Sequence, residues 1–422
     1  MDTPLRRAPA PARRARSAVA ALGARAAARL SRLADYGDGT AIGGRVAMAI
    51  DSRAISQLSQ GIPVVLVSAT NGKSTASTML AAAVSTAGPV AFNSGGSNMR
   101  EGVAMALSQT RTATRAVLEV DEMVLGPVAR ETRASWVVLM NASREYTRGV
   151  SLERTLEHWA ATLADPDLAF TVVANADDPV ITALAMPLRP AGRVVWVAGG
   201  MEWRRDSVLC RRCGSRVEWP DEHDPGWACT GCDLARPAPD WFVEAGMLHG
   251  PAGPPVPLTV TLPGRWLTSN ATFAVATAAS MGVPVDAAAR AVAEVTDVDG
   301  RYRAVDVGGR AVRLFLVKKP ACWMVAVSLA GDAEGSIVLA METFSMRDLT
   351  PAWDVDLSVL AGSAVVATGQ RRLDAAVLLE TAGVPHTVVA EPLDAIAAVP
   401  PGPVHVIANY TAFKDLRRRL TA

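Results

Sequence analysis

The feature that most constrains this chain is the apolar run Val64-Val65-Leu66-Val67. It ends in the turn Ser68-Ala69-Thr70-Asn71-Gly72-Lys73-Ser74-Thr75 and leads into an alanine-rich stretch reaching residue 87. Consecutive apolar positions describe a strand covered on both faces, the habit of parallel sheets. A glycine turn followed by a helix then predicts a strand–loop–helix unit, the context a phosphate-binding loop requires. The long pattern G-x-x-x-x-G-K-[ST] needs glycine at position 67, where valine stands. Only a shorter loop fits. Its chemistry is the same: N–H groups at a helix start donate to phosphate oxygens, an ammonium neutralises them, and a hydroxyl reaches a divalent cation. Thr70, Asn71, Gly72, Lys73, Ser74 and Thr75 are the candidate nucleotide contacts, against the plainer alternative of a glycine turn before an ordinary helix.

Composition sharpens that choice. Of 42 lysines and arginines only four are lysines, namely Lys73, Lys318, Lys319 and Lys414. A chain that prefers arginine almost everywhere keeps lysine where a compact ammonium is needed and a wide guanidinium fork is not. The net charge of +1 gives no electrostatic case for nucleic acid. Charges interrupt the longest apolar stretches, so no transmembrane segment is expected.

At 422 residues the chain exceeds one ordinary core. Residues 1–35 read as an Arg/Ala-rich N-terminal arm, either frayed and leading into a surface helix or an amphipathic helix touching an anionic membrane face. Residues 36–50 read as a glycine-rich approach. Strands are predicted at 64–67, 116–120, 136–140, 168–174 and 193–197, with helices at 74–87 and 151–164 between them. This alternation predicts an α/β domain with a parallel sheet over 36–298, interrupted by a polar insert at about 203–243. A second α/β unit over 299–422 has strands near 312–317, 337–340, 364–367 and 404–408.

The insert holds Cys210-x-x-Cys213 and Cys229-x-x-Cys232, fifteen residues apart. This is zinc-ribbon spacing, and four thiolate ligands leave no open position, so a structural Zn²⁺ is expected. His223 lies between the pairs and is read as a bystander. Cysteines used this way suit a reducing cytoplasm. Cys322, the unpaired thiol, is read as buried.

The loop and the ribbon together, with NSGGSNMREG (93–102), AVLEVDE (116–122), NADDP (175–179), LPGRWLTSNA (262–271), DGRYR (299–303), LVKKPA (316–321), RDLTPAWDVDL (347–357), GQRRLDAAVLLETAGV (369–384) and NYTAFKDLR (409–417), resemble the MurT family. These are the Mur-ligase-like subunits of glutamine-hydrolysing lipid II isoglutaminyl synthase. The resemblance runs from about residue 36 almost to the end, and implies a Mur-type central ATP-binding domain and a partner-contacting C-terminal domain. It implies ATP and Mg²⁺ as cofactors, lipid II as substrate and a GatD-like glutamine amidotransferase as partner. The expected reaction is amidation of the D-glutamate α-carboxylate of the stem peptide to D-isoglutamine through an acyl phosphate. Glu119, at a strand's carboxyl end beside Asp121 and Glu122, is the implied magnesium ligand together with Ser74. Asn270 corresponds to the adenine-side asparagine and Arg301 to a phosphate-contacting arginine. Asp354, with Asp356 as runner-up, is implied to complete a Cys-His-Asp triad whose other members lie on the partner, steadied by Trp353. Lys73 and Glu119 complete the expected catalytic set.

Residues 141–150 depart from the family pattern: Asn141 and Arg144 match, Glu145 stands in for an acid, Tyr146 replaces an amide and Arg148 an acid. Two other readings stay open on these grounds. One is a Mur-fold ligase that joins a different carboxylate and amine, and the other is a non-catalytic partner of a glutaminase.

Overall fold

The structure is a computed structural model describing residues 11–34, 36–93, 96–144, 151–201, 203–221, 225–260, 265–296, 302–331, 333–342 and 350–420. The chain divides into two compact units: Met1–Ala142, Leu152–Thr261 and Arg265–Val295 form the first, and Ser143–Ser151, Leu262–Gly264 and Thr296–Ala422 the second.

The first unit opens with α1 (Pro11–Leu33), α2 (Thr40–Ile50) and α3 (Ala54–Leu58). It continues β1 (Val64–Ser68), α4 (Lys73–Ser85), β2 (Val90–Phe92), α5 (Arg100–Gln109), β3 (Arg115–Glu119), α6 (Leu125–Thr132), β4 (Trp136–Leu139), α7 (Leu152–Leu163), β5 (Thr171–Asn175), α8 (Pro179–Ala185) and β6 (Val194–Val197). The six strands form one sheet in the order β2-β3-β1-β4-β5-β6, every pair parallel. All five residues of β1 are buried, as its unbroken apolar run predicts for a central strand. From β1 the chain crosses to β2 and β3 on one side, then passes β1 to lay down β4, β5 and β6 on the other. The carboxyl ends of β3, β1 and β4 therefore flank the point where strand order reverses, the place where open α/β sheets bind ligands.

On one face Leu66, Leu118, Leu139, Trp159 and Phe170 share a core with α5, α6 and α7. Fully burying each such side chain contributes about 1.5–3 kcal/mol. α9 (Arg265–Ser280) and α10 (Val285–Ala293) pack with α4. Between β6 and α9 lie the short antiparallel pair β7 (Val217–Glu218) and β8 (Ala228–Cys229) and the three-stranded sheet of β9 (Phe242–Glu244), β10 (Met247–His249) and β11 (Val256–Pro257).

One expectation is corrected here. The glycine-rich approach at 36–50 is largely helical, as α2, and its glycines serve close packing. A Cβ at Gly44 would stand 1.9 Å from the Glu101 carbonyl oxygen of α5. Glycine here trades helix propensity for helix–helix proximity.

The second unit contains β12 (Tyr302–Val307), β13 (Arg310–Leu316), α11 (Pro320–Gly331), β14 (Ser336–Ala340), β15 (Val365–Thr368), α12 (Arg372–Thr381), β16 (His386–Val389), α13 (Pro392–Ala398), β17 (Val404–Ala408) and α14 (Tyr410–Arg419). Its sheet runs β12-β13-β17-β14-β15-β16, parallel except for the antiparallel edge strand β12. Buried rows on both faces, led by Leu339 and Trp323 on one side and Val338 and Phe413 on the other, show that this sheet is covered twice. Among the described residues no helix is long and apolar enough to cross a membrane.

Candidate nucleotide site and four-cysteine centre

The turn after β1 is folded as a phosphate cradle. Gly72 caps α4 with φ +78°, a left-handed conformation that favours glycine. The first N–H groups of α4 have no partner inside the helix, and its dipole favours an anion in front of them. Asn141, just past β4, clamps the loop: its Oδ1 accepts from the Asn71 N–H at 2.9 Å and its Nδ2 donates to the Asn71 carbonyl at 3.0 Å. The Thr70 N–H donates to the Asn141 carbonyl at 3.1 Å. Thr70, Ser74 and Thr75 are all buried. Ala69 is also buried, and it is absent from the positions with positive φ.

Lys73 is almost wholly buried, and its Nζ donates to the Ala69 carbonyl at 2.7 Å and to Glu122 Oε2 at 3.1 Å. The three acids that adjoin in sequence are given three different tasks. Glu122 pairs with Lys73, Asp121 Oδ1 accepts from the Met123 N–H at 3.1 Å, and Glu119 accepts from Asn98 Nδ2 at 3.3 Å. Glu119 is 1% exposed, and its backbone is pinned by Asn93, which accepts from the Glu119 N–H and donates to its carbonyl, both at 2.8 Å. Asn93 and Asn98 come from the NSGGSNM stretch, so that segment positions the candidate magnesium ligand.

Asn270, on α9, lies against the loop: a Cβ at Gly72 would be 2.9 Å from its Oδ1. Its Nδ2 is buried without a hydrogen-bond partner, a donor left for a ligand. Buried N–H donors, an ammonium and a buried carboxylate suit a nucleotide phosphate with its divalent cation, so the residues present fit Mg-ATP.

The NADDP turn supports this arrangement from behind. Asn175 Nδ2 donates to the Met140 carbonyl at 2.9 Å, and Asp178 Oδ2 accepts from the Ala142 N–H at 3.2 Å. These bonds fix the residues on either side of Asn141. Asp178 also caps α8, accepting from the Val180 and Ile181 N–H groups. Burial pushes its carboxyl up from 3.8 to about 6, against the pull of those three N–H donors.

The cysteines meet as their spacing predicts. The sulfurs of Cys210, Cys213, Cys229 and Cys232 lie within 4.8 Å of one another, with Cys210–Cys232 at 3.8 Å and Cys213–Cys229 at 3.3 Å. A tetrahedron with Zn–S of about 2.3 Å has edges of about 3.8 Å, so the four sulfurs fit that ion. Hydrogen bonds from the Ser215 backbone and hydroxyl draw the Cys213 thiol down to about 6. Cys232 is favoured as thiolate by the Leu234 N–H, yet burial and the three neighbouring sulfurs push it up to about 12. Four crowded thiols ionise together only when a cation shares them. The ribbon is tied to the body: Trp227 Nε1 donates to the Ala176 carbonyl at 3.1 Å, and Arg236 pairs with Asp177 at 2.6 Å.

In the second unit Asp354 closes a short 3-10 turn, Thr350–Asp354, and is half-buried. Asp356 is exposed, and its Oδ1 accepts from the Ser358 N–H at 2.9 Å. Trp353 does not steady the acid by packing inward, since it is 56% exposed; buried Pro351, Ala352 and Leu357 anchor the turn instead. Cys322, expected to be buried, is partly exposed on α11. Arg301, His223 and residues 145–150, which include Tyr146 and Arg148, lie outside the described residues. Asn93, Asn98, Asn141 and Asp178 were not singled out as site residues in the sequence. The signal was there, in polar side chains placed just beyond buried strands.

No family model matches the chain. It is 23% identical over 439 residues to the lipid II isoglutaminyl synthase (glutamine-hydrolysing) subunit MurT of Streptococcus pneumoniae, covering 93% of this chain and 94% of that protein. Among solved structures, a pseudomurein peptide ligase type C from Methanothermus fervidus aligns with TM-score 0.67 at 16% identity, covering 89% of this chain and 83% of the other. The UDP-N-acetylmuramoylalanyl-D-glutamyl-2,6-diaminopimelate–D-alanyl-D-alanyl ligase of Acinetobacter baumannii aligns with TM-score 0.65 at 15% identity, over 89% and 79%. A folylpolyglutamate synthase from Thermotoga maritima aligns with TM-score 0.54 at 16% identity, over 88% and 93%. The fold is therefore the Mur-ligase α/β fold.

Proposed function

We propose that this chain is the ATP-dependent amidating subunit of a two-protein synthase acting on the D-glutamate α-carboxylate of a lipid II stem peptide. The observation that carries the reading is the end-to-end similarity to the pneumococcal subunit, which spans nearly all of both chains. The similarity to that subunit and to Mur ligases supports an ATP-dependent ligase. The intact loop at the carboxyl end of β1 supports nucleotide use in this chain.

Mg-ATP would supply its γ-phosphoryl group to the carboxylate, leaving ADP and an acyl phosphate from which ammonia would displace inorganic phosphate to give the amide. Residues 70–75 and Asn270 would hold the nucleotide, with Arg301 as a further phosphate contact. Ser74 and Glu119 would hold the magnesium. Lys73 would exchange Glu122 for phosphate oxygens, so that its charge is spent on the transferring group rather than on the loop. Ammonia would come from a GatD-like glutaminase, with Asp354 orienting the partner's histidine. The four cysteines would hold a structural zinc. Asp356 is the weaker candidate for the triad because it already caps its own turn. The exposed Trp353 beside Asp354 suits a surface a partner covers.

The deciding experiment incubates lipid II stem peptide with this protein, its glutaminase partner, Mg-ATP and glutamine, and reads the peptide mass. A carboxylate-to-amide shift that needs ATP and disappears in Lys73→Ala is the expected result. No shift from folded protein that binds the partner would overturn the reading in favour of another carboxylate substrate or a purely regulatory subunit.

A further inference from the structure

The buried side of α1 is made of small residues: Ala20, Ala21, Ala24 and Ala28 are fully enclosed where the helix packs on α2 and α5. The opposite side is apolar too. Val19, Leu22, Leu30 and Leu33 are 57%, 62%, 66% and 76% exposed, and Ala26 between them is also exposed. Positions 19, 22, 26, 30 and 33 advance by three and four, so at 3.6 residues per turn they form one stripe facing away from the buried alanines. Arg25, Arg29 and Arg32 follow one edge of that stripe and Arg16 the other. Large aliphatic side chains on the solvent side of a helix whose packing side is alanine reverse the usual order for a surface helix.

We propose that this outward face of α1 docks on a phospholipid bilayer bearing anionic headgroups. Charge selects that occupant. The 23 residues of α1 hold six arginines and no acidic residue. Residues 1–33 carry eight arginines and one aspartate, whereas the rest of the chain carries 34 basic and 40 acidic side chains. Arg16, Arg25 and Arg32 donate to the carbonyls of Ile50, Ser108 and Asp38 at 2.9, 3.0 and 3.1 Å, which orients them without neutralising them. Among the described residues no carboxylate forms an ion pair with Arg16, Arg25, Arg29 or Arg32. An apolar stripe edged by uncompensated arginines is the composition of helices that lie in the plane of a membrane interface, aliphatic side chains among the acyl chains and cations at the headgroups. A second copy of α1 would bring the same unneutralised arginines against each other. A nucleic-acid backbone would leave the leucines in water. Bilayer docking is independent of the ligase chemistry and would hold whichever carboxylate is amidated.

The test is flotation of the full chain with vesicles of phosphatidylcholine alone and of equal parts phosphatidylcholine and phosphatidylglycerol. The protein should float with the anionic vesicles, not with the neutral ones, and binding should weaken as salt rises. Leu22→Ser, Leu30→Ser and Leu33→Ser together should weaken binding about tenfold or more. All three side chains are exposed, so the thermal midpoint should hold; if the triple variant melts early, Leu22→Glu alone carries the same prediction. Lack of flotation with anionic vesicles at low salt, or equal binding by the variants, would overturn the assignment. So would self-association that the same substitutions abolish without any vesicle binding, which would make a second copy the occupant.

Discussion

At the residue scale, the candidate site is held ready by charges that must change partners. Lys73 and Glu122 are both almost fully buried and bonded to each other. Removing one member of a buried pair leaves an uncompensated charge, costing about 3–5 kcal/mol. Glu122→Gln should therefore lower the thermal midpoint of the nucleotide-free protein, and Mg-ATP should raise that midpoint more in the variant than in the wild type. The reason is that phosphate replaces the lost partner of Lys73. Equal nucleotide-induced shifts in the two proteins would show that Lys73 does not meet the phosphates. Asp178 gives a pH signature. Its carboxyl is raised from 3.8 to about 6 in the folded protein, so its stabilising neutral form is complete below about pH 3.8 and is lost as pH rises through about 6. Between pH 4 and 7 the wild type should lose about 2 kcal/mol relative to Asp178→Asn, which cannot ionise. Urea melts across that range measure it, and parallel stability curves would contradict it.

At the scale of elements, the sequence was most legible where one physical demand dominated. Buried parallel strands need unbroken apolar runs, so β1, β3, β4, β5 and β6 were all anticipated, as was the four-cysteine cluster from its spacing. α2 was missed because Gly43 and Gly44 look like turn residues. Their helical role depends on α5, some sixty positions away in the chain, and no local pattern reports it. The edge strand β12 was missed because it is polar and pairs on one side only, so it lacks the core-strand signature. Gly44→Ala should accordingly cost several kcal/mol, since its Cβ meets the backbone of α5 rather than a movable side chain. The ribbon's own core is a handful of residues, Val217, Trp227 and Leu234 with the cysteines, too few to fold alone. Metal removal should therefore expose residues 203–236 to protease and lower the thermal midpoint, with zinc restoring both. A ribbon that resists protease after complete metal removal would show that Trp227 and Arg236 suffice to hold it.

At the scale of the whole molecule, the chemistry proposed here is divided between two compact units. Lys73 and its loop belong to the first, and Asp354 with its short turn to the second. That division was visible in the sequence as two separate alternations of strand and helix. The partner's role was legible only through the family resemblance, because a half-buried aspartate beside an exposed tryptophan carries no signature of what covers it. Division of labour predicts separable losses. Lys73→Ala should abolish ATP-dependent amidation whether nitrogen comes from glutamine or from ammonium, because the carboxylate is never activated. Asp354→Asn should abolish amidation from glutamine by 10³-fold or more, on the order seen when a triad acid is removed, yet amidation from ammonium chloride should proceed near the wild-type rate. The amide has its nitrogen supplied directly in that case, and nothing in the first unit has been touched. Measuring amidated peptide with each nitrogen source in the complex of both proteins separates the outcomes. If Asp354→Asn loses both activities, the residue serves folding or ligation rather than the partner's histidine. If it loses neither while Asp356→Asn loses the glutamine-dependent reaction alone, the triad acid is Asp356, and its bond to the Ser358 N–H must open when the partner docks.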